Sequence, residues 1–140
     1  LCNQMIFNLR PLIESDYEDI LLGWWKSWRF PAPPKDFLPD NGTGGIMVLD
    51  GDTPVCAGFL YTTNSKVIWV DWIVSSIEYK DKDKRKDALT LLLSTLTNIA
   101  KNTGAEYTYA LVKNKSLINA YTSLGYTSGD SYQKELIKKL

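Results

Sequence analysis

Apolar positions recur along this chain in two rhythms, and the switches between them mark its elements. Residues 5–9 read as a short apolar strand. The spacing then lengthens, and Tyr17, Ile20, Leu21, Trp24 and Trp28 fall along one side of a helix. Ser15 and Glu18 have the separation of a capping box, so the helix is expected to start there and run to about Trp28. Residues 30–45 hold four of the six prolines together with Asn41-Gly42 and Gly44-Gly45, which excludes a long regular element. Strands are predicted at 46–49, 55–61 and 66–74, the last rich in β-branched and aromatic residues. Asp50-Gly51-Asp52 and residues 62–65 supply the turns between them. A charged loop, 78–86, leads to a helix at 88–101, where Ala88, Leu91, Leu92, Thr95, Leu96 and Ile99 repeat at helical spacing. Residues 107–112 form a strand, a short helix follows Asn114, and 132–137 are a final strand.

Composition narrows what these elements can serve. The 140 residues suffice for one domain with a real core, placed at 5–140, with 1–4 a disordered or upstream remainder before Met5. Formal net charge is zero, so nothing in the overall charge calls for nucleic acid or another polyanion. No apolar run is long enough to span a bilayer, and the first residues lack the regions of a signal peptide. Cys2 and Cys56 are not spaced as metal ligands and read as reduced thiols of a cytoplasmic protein. The chain has no histidine, which excludes a Ser-His-Asp triad, a Cys-His dyad and a histidine-based metal site.

The most specific stretch is Asn-Lys-Ser-Leu-Ile-Asn-Ala-Tyr-Thr-Ser-Leu-Gly-Tyr, from Asn114 to Tyr126. Asn114 is a good helix cap, Leu117, Ile118, Tyr121 and Leu124 make an apolar stripe, and Gly125 tolerates the left-handed conformation that ends many helices. This order resembles the penultimate helix of the GNAT superfamily of acyl-CoA-dependent N-acyltransferases. The element order along nearly the whole chain is similar to that family's, as are Arg10-Pro11-Leu12 and Asp16 at the entry to the first helix. The resemblance implies an α+β fold of α/β/α layers, with a mixed, mostly antiparallel sheet flanked by helices. It also implies two splayed strands, 66–74 and 107–112, with the pantetheine arm of acetyl-CoA between them and its pyrophosphate over a helix N-terminus.

The loop before the long helix departs from the family pattern. The family has Gln/Arg-x-x-Gly-x-Gly/Ala there, whose small residues let backbone N–H groups face the pyrophosphate. Here residues 79–89 contain no glycine. One register puts Lys86 and Ala88 at the two small positions; the preferred one keeps Arg85 and puts Ala88 and Thr90 there. The resemblance thus assigns Arg85, Lys86, Asp87, Ala88 and the capping Asn114 to the cofactor, with the N–H groups of Ile73 and Val74 holding its arm. Judged alone, the same loop is a solvated run of mixed charge ahead of a helix.

The implied chemistry is direct acetyl transfer to an amine of a small molecule or peptide, with acetyl-CoA as co-substrate and no metal. Asp71, on the third strand of the meander, corresponds to the family's acidic base, and Tyr121 to the tyrosine near the departing sulfur. Each has a plain alternative: Asp71 as an exposed residue on a half-solvated strand facing away from Val70 and Trp72, and Tyr121 as core. Trp24 and Trp25 are adjacent, so both cannot face the core of one helix, and at least one is expected to be exposed or to line a pocket. With Trp72 they are the candidate acceptor wall, opposite the proline-rich loop. The run from Trp24 to Trp28 resembles small GNAT-like proteins of bacteria and phages. Two further readings stay open: a GNAT-fold module that binds CoA without catalysis, and a protein-interaction module using the proline-rich loop. Either a monomer or a homodimer is compatible with the sequence.

Overall fold

The computed structural model describes residues 7–131 and 134–140. Strands β1 (Phe7–Pro11), β2 (Gly45–Asp50), β3 (Thr53–Thr62), β4 (Val67–Ser75) and β5 (Tyr107–Tyr109) form one sheet in chain order. The first four pair antiparallel, β2–β3 and β3–β4 through short turns and β1–β2 across the intervening residues 12–44, and β5 joins β4 in parallel. A parallel neighbour needs a crossover, and the helix α2 (Lys82–Asn102) provides it. Helix α1 (Leu22–Ser27) continues a π-turn at Tyr17–Leu21, and α3 (Lys115–Ser123) follows β5. The architecture is the expected α+β sandwich.

Alternation along the strands divides the core into two layers. On one face Val48, Val55, Cys56 and Val70 pack against Ala88, Leu92, Leu93 and Leu96 of α2 and Tyr121 of α3. On the other, Met47, Ala57, Phe59 and Val74 meet Leu12, Tyr17, Leu21, Trp25 and Leu38. Leu92, Leu93 and Leu96 are fully buried, each contributing roughly 1.5–3 kcal/mol.

Three sequence expectations are corrected. The start of the first helix is not held by a Ser15–Glu18 box. Asp16 instead anchors the segment that leads into the helix: its carboxylate accepts two hydrogen bonds from Arg10, at 2.7 and 2.9 Å, and one from the Ile13 N–H at 2.8 Å. The long helix begins at Lys82 rather than 88, because Asp81 caps it by accepting the Lys84 N–H at 3.0 Å. Residues 78–86 are therefore not one loop. The final strand at 132–137 lies partly outside the described residues, and 134–140 carry no regular element, with Leu136 and Ile137 exposed. The helix after Asn114 is as read: Asn114 accepts the Leu117 N–H at 3.1 Å, and Gly125 closes it at φ 97°.

Candidate functional site

Strand β4 carries one residue more than β3 opposite it. Ala57 pairs with Val74 but Phe59 with Asp71, so the register shifts at Gly58. The extra residue is absorbed at Trp72, which adopts φ 55°. A non-glycine residue there costs about 1–3 kcal/mol and marks a β-bulge. Gly58 makes the bulge possible: a Cβ on it would lie 2.4 Å from Ile73 Cδ1 and 3.0 Å from Leu96 Cδ1. The bulge also reorients side chains. Val70 and Ile73 face α2, while Trp72 and Val74 face α1. Asp71, opposite Phe59, therefore shares a face with Trp72, not the opposite one that unbroken alternation requires.

The bulge lies where the sheet forks. β4 and β5 pair only over Val67–Trp69 and Tyr107–Tyr109, and β4 continues to Ser75 alone on that edge. Two side chains hydrogen-bond to the backbone that borders the fork. The Asp71 carboxylate accepts the Trp72 N–H at 2.9 Å and, across the fork, the Leu111 N–H at 3.3 Å. The Tyr121 hydroxyl, buried, donates to the Val70 carbonyl at 2.6 Å. Burial pushes the Asp71 carboxyl above its ordinary value, and the two N–H donors offset only part of that. Burial also raises Tyr121, reinforced by the charges of Asp71 and Tyr126, so its phenol holds its proton firmly. Both residues are thus largely buried and hold backbone groups that border the fork.

On the edge that β5 leaves uncovered, backbone polarity decides which N–H groups face outward. Ser76 N–H donates to Val55 of β3 at 2.8 Å. Alternation sends the Val74 N–H the same way, so those of Ile73 and Ser75 face the fork. Of the two N–H groups the resemblance assigns to the arm, that of Ile73 points to this edge and that of Val74 toward β3.

The residues expected around a pyrophosphate are arranged differently. Arg85, Lys86, Asp87 and Ala88 all lie within α2 rather than in a loop before it. The Arg85 guanidinium donates to the Ser76 and Tyr79 carbonyls, each at 3.2 Å, and lies 5.8 Å from the centre of the Trp28 ring. Trp28 in turn donates through Nε1 to the Ser75 carbonyl at 2.7 Å. Tyr79 donates to Asp50 at 2.6 Å, and its phenol is pushed up to about 12, by burial and then by that carboxylate. These contacts pin the segment between β4 and α2. Ala88 is buried in the core, and its N–H belongs to the helical ladder. Asn114 serves as the cap of α3.

The tryptophans separate. Trp25 is buried in the second core layer. Trp24 is half-buried and lines a cavity of about 370 Å³ with Ile20, Gly23, Pro54 and Ser76. That cavity is lined neither by Asp71 nor by the proline-rich segment. Trp72 instead gathers the segment: its ring meets those of Trp25, Phe30 and Phe37 edge to face, at 6.0, 5.8 and 6.1 Å. Phe30 and Phe37 are exposed on the face where they meet Trp72. Sequence reading did not single out Gly58, Asp81, Phe30 or Phe37 for the site. A glycine inside a strand pattern signals a bulge, and an aspartate three residues before a helical N–H signals a cap.

Among the described residues, no cluster of three His, Cys, Asp or Glu side chains is placed to hold a metal ion. No described helix is long and apolar enough to cross a membrane.

No protein-family model and no curated protein matches the chain. Solved structures do. A GNAT family acetyltransferase from Staphylococcus aureus aligns over 95% of this chain and 100% of its own, with TM-score 0.60 and 15% identity. Glucosamine-6-phosphate N-acetyltransferase from Arabidopsis thaliana aligns over 94% and 99%, with TM-score 0.64 and 10% identity. N-acetylglutamate synthase from Neisseria gonorrhoeae, in complex with coenzyme A and N-acetyl-glutamate, aligns over 89% of this chain and 29% of its own, with TM-score 0.68 and 12% identity. The chain has the GNAT acetyltransferase fold.

Proposed function

We propose that the chain is an N-acetyltransferase that moves the acetyl group of acetyl-CoA onto an amine of a small cytoplasmic molecule or peptide. The observation that carries this reading is the convergence of Asp71 and Tyr121 on the fork between β4 and β5. The fork suits the donor's arm, since the N–H groups of Ile73 and Ser75 lie on an edge that no strand covers. The N-terminus of α2 suits the donor's phosphates less well, because Asp81 already caps it.

Bound there, acetyl-CoA supplies a thioester-activated acetyl group; the chain's own residues do the rest. The ammonium form of an ordinary amine must lose a proton before its nitrogen can attack. Asp71 is the acceptor for that proton, and burial brings its proton affinity closer to the task. Tyr121 keeps its phenolic proton and is the group that can deliver one to a leaving sulfur. Trp72, with Phe30 and Phe37, forms an aromatic wall that positions the apolar part of the acceptor and excludes water.

The test is calorimetric titration of the purified protein with acetyl-CoA and CoA, followed by a thiol-release assay over a panel of amines. Acetyl-CoA at about 100 times its Kd should stabilise the fold by roughly 2.7 kcal/mol. No binding and no shift would remove the reading. A second reading, a GNAT-fold module that no longer catalyses, is favoured by one observation: Arg85 is spent on the Ser76 and Tyr79 carbonyls. Binding of CoA without turnover on any amine would select it.

A further inference from the structure

The N-terminus of α2 is where this fold departs furthest from an anion cradle. A helix start presents unpaired N–H groups and a partial positive charge. Here one of those N–H groups, that of Lys84, and part of that charge are met from within. The Asp81 carboxylate accepts the Lys84 N–H at 3.0 Å, and its carbonyl accepts the Arg85 N–H at 2.9 Å. Asp83 adds a second acidic residue to the first turn. No glycine lies between Gly58 and Gly104, so no residue of this segment lets a backbone approach a ligand unhindered. The nearest guanidinium, Arg85, is bound to the Ser76 and Tyr79 carbonyls.

We propose that Asp81 is a specificity determinant that keeps a diphosphate off the N-terminus of α2. This rests on the proposed use of a CoA thioester and adds how the chain holds it. A carboxylate and a diphosphate compete for the same N–H groups and repel each other, so the donor is retained chiefly at the fork. The phosphates are left to the exposed lysines around the cap, Lys80, Lys82 and Lys86. Two consequences follow. Donor affinity falls only slightly with salt, since the exposed lysines contribute little and are screened. Affinity also depends little on the diphosphate, so an acetylated pantetheine fragment binds nearly as well as acetyl-CoA.

The experiment is titration calorimetry on the full chain with acetyl-CoA and, separately, inorganic pyrophosphate. Asp81→Asn is the informative variant, because asparagine caps a helix as well as aspartate does but carries no charge. Asp81→Asn is expected to bind acetyl-CoA about tenfold more tightly than the parent at low salt, and to gain pyrophosphate binding that the parent lacks. Its melting temperature should match the parent's, which separates the effect from lost capping. Equal acetyl-CoA affinity in both proteins would overturn the role of Asp81 and leave the donor reading intact. A gain for pyrophosphate without any affinity for acetyl-CoA would keep the role of Asp81 and remove the donor reading. No binding of either ligand by either protein would overturn both.

Discussion

The Tyr121 hydroxyl donates a 2.6 Å hydrogen bond to the Val70 carbonyl, tying α3 to β4 at the point where β5 departs. The acceptor is a backbone group on the strand that frames the fork, so the phenol's position is fixed by the fold rather than by solvent. Tyr121→Phe keeps the ring and its edge-to-face contact with Tyr126, whose centroid is 4.9 Å away. It removes the donor from a buried carbonyl, which should cost about 1–3 kcal/mol of stability. Turnover should fall by about 10²–10⁴ while acetyl-CoA affinity stays unchanged. A stability loss with full turnover would leave Tyr121 a purely structural residue.

The two carboxylates that organise the chain should respond to pH with opposite sign. Asp71 has its folded pKa raised by burial. Its contribution is therefore fully present below the unfolded value and is lost as pH rises through the folded one. Burial also penalises Asp16, but the Arg10 hydrogen bonds and the Ile13 N–H outweigh it and hold its pKa below the ordinary value. Its contribution is present above the unfolded value and is lost as pH falls through the folded one. Urea unfolding between about pH 3 and pH 7, a window spanning the ordinary carboxylate range, reads both. Relative to the parent, Asp71→Asn should gain stability as pH rises through that window, and Asp16→Asn should lose it. Parallel slopes for the two variants would contradict this assignment.

Much of this fold is written in local signals, and its failures are instructive. The Asn114 cap, the Gly125 stop and the meander were legible because each rests on neighbours within a few residues. The start of α2 was not. Five cations and three aspartates among residues 80–87 read as a solvated loop, yet such residues are also good helix surface once Asp81 supplies a cap. The identity of Asp71 as a fork residue came from the family resemblance, but its orientation did not. Strict alternation sets Asp71 and Trp72 on opposite faces, and only the bulge unites them. Likewise the resemblance assigns Arg85 to the pyrophosphate by its register, and the sequence conceals the carbonyls of Ser76 and Tyr79 to which it donates.

The bulge gives a direct test of that geometry. Gly58→Ala places a methyl group 2.4 Å from Ile73 Cδ1 and 3.0 Å from Leu96 Cδ1, with Leu92 Cδ2 at 3.4 Å. Ile73 can shift its chain end, but the two leucines are fully buried and have little room to give. The expected cost is about 1–3 kcal/mol, measured by denaturant unfolding. Because Ile73 carries an N–H on the fork edge, donor affinity should drop as well. Gly51→Ala serves as the comparison, since its Cβ meets nothing within 4 Å and only its φ of 60° is unfavourable. A Gly58→Ala protein as stable as the parent would mean that the register shift does not depend on the missing side chain.

Arg85 supplies the last prediction, and it turns on the difference between a guanidinium and an ammonium. Arg85 reaches two carbonyls with one terminal nitrogen while its planar group lies over the Trp28 ring. Trp28 is itself anchored to the Ser75 carbonyl. The three residues therefore brace the short connection between β4 and α2, on which the start of the helix depends. A lysine at this position keeps the charge but not the flat, delocalised face or the fork of donors. Arg85→Lys and Arg85→Ala should thus both lower stability, by about 1–2 kcal/mol, because partly buried carbonyls lose a charged donor. If Arg85 instead served chiefly to bind phosphate, Arg85→Lys would preserve stability and most of the acetyl-CoA affinity, and Arg85→Ala would lose affinity alone. Thermal denaturation of the two variants, with and without acetyl-CoA, separates the outcomes: a brace lowers both melting curves in the absence of ligand, whereas a phosphate ligand changes only the ligand-induced shift.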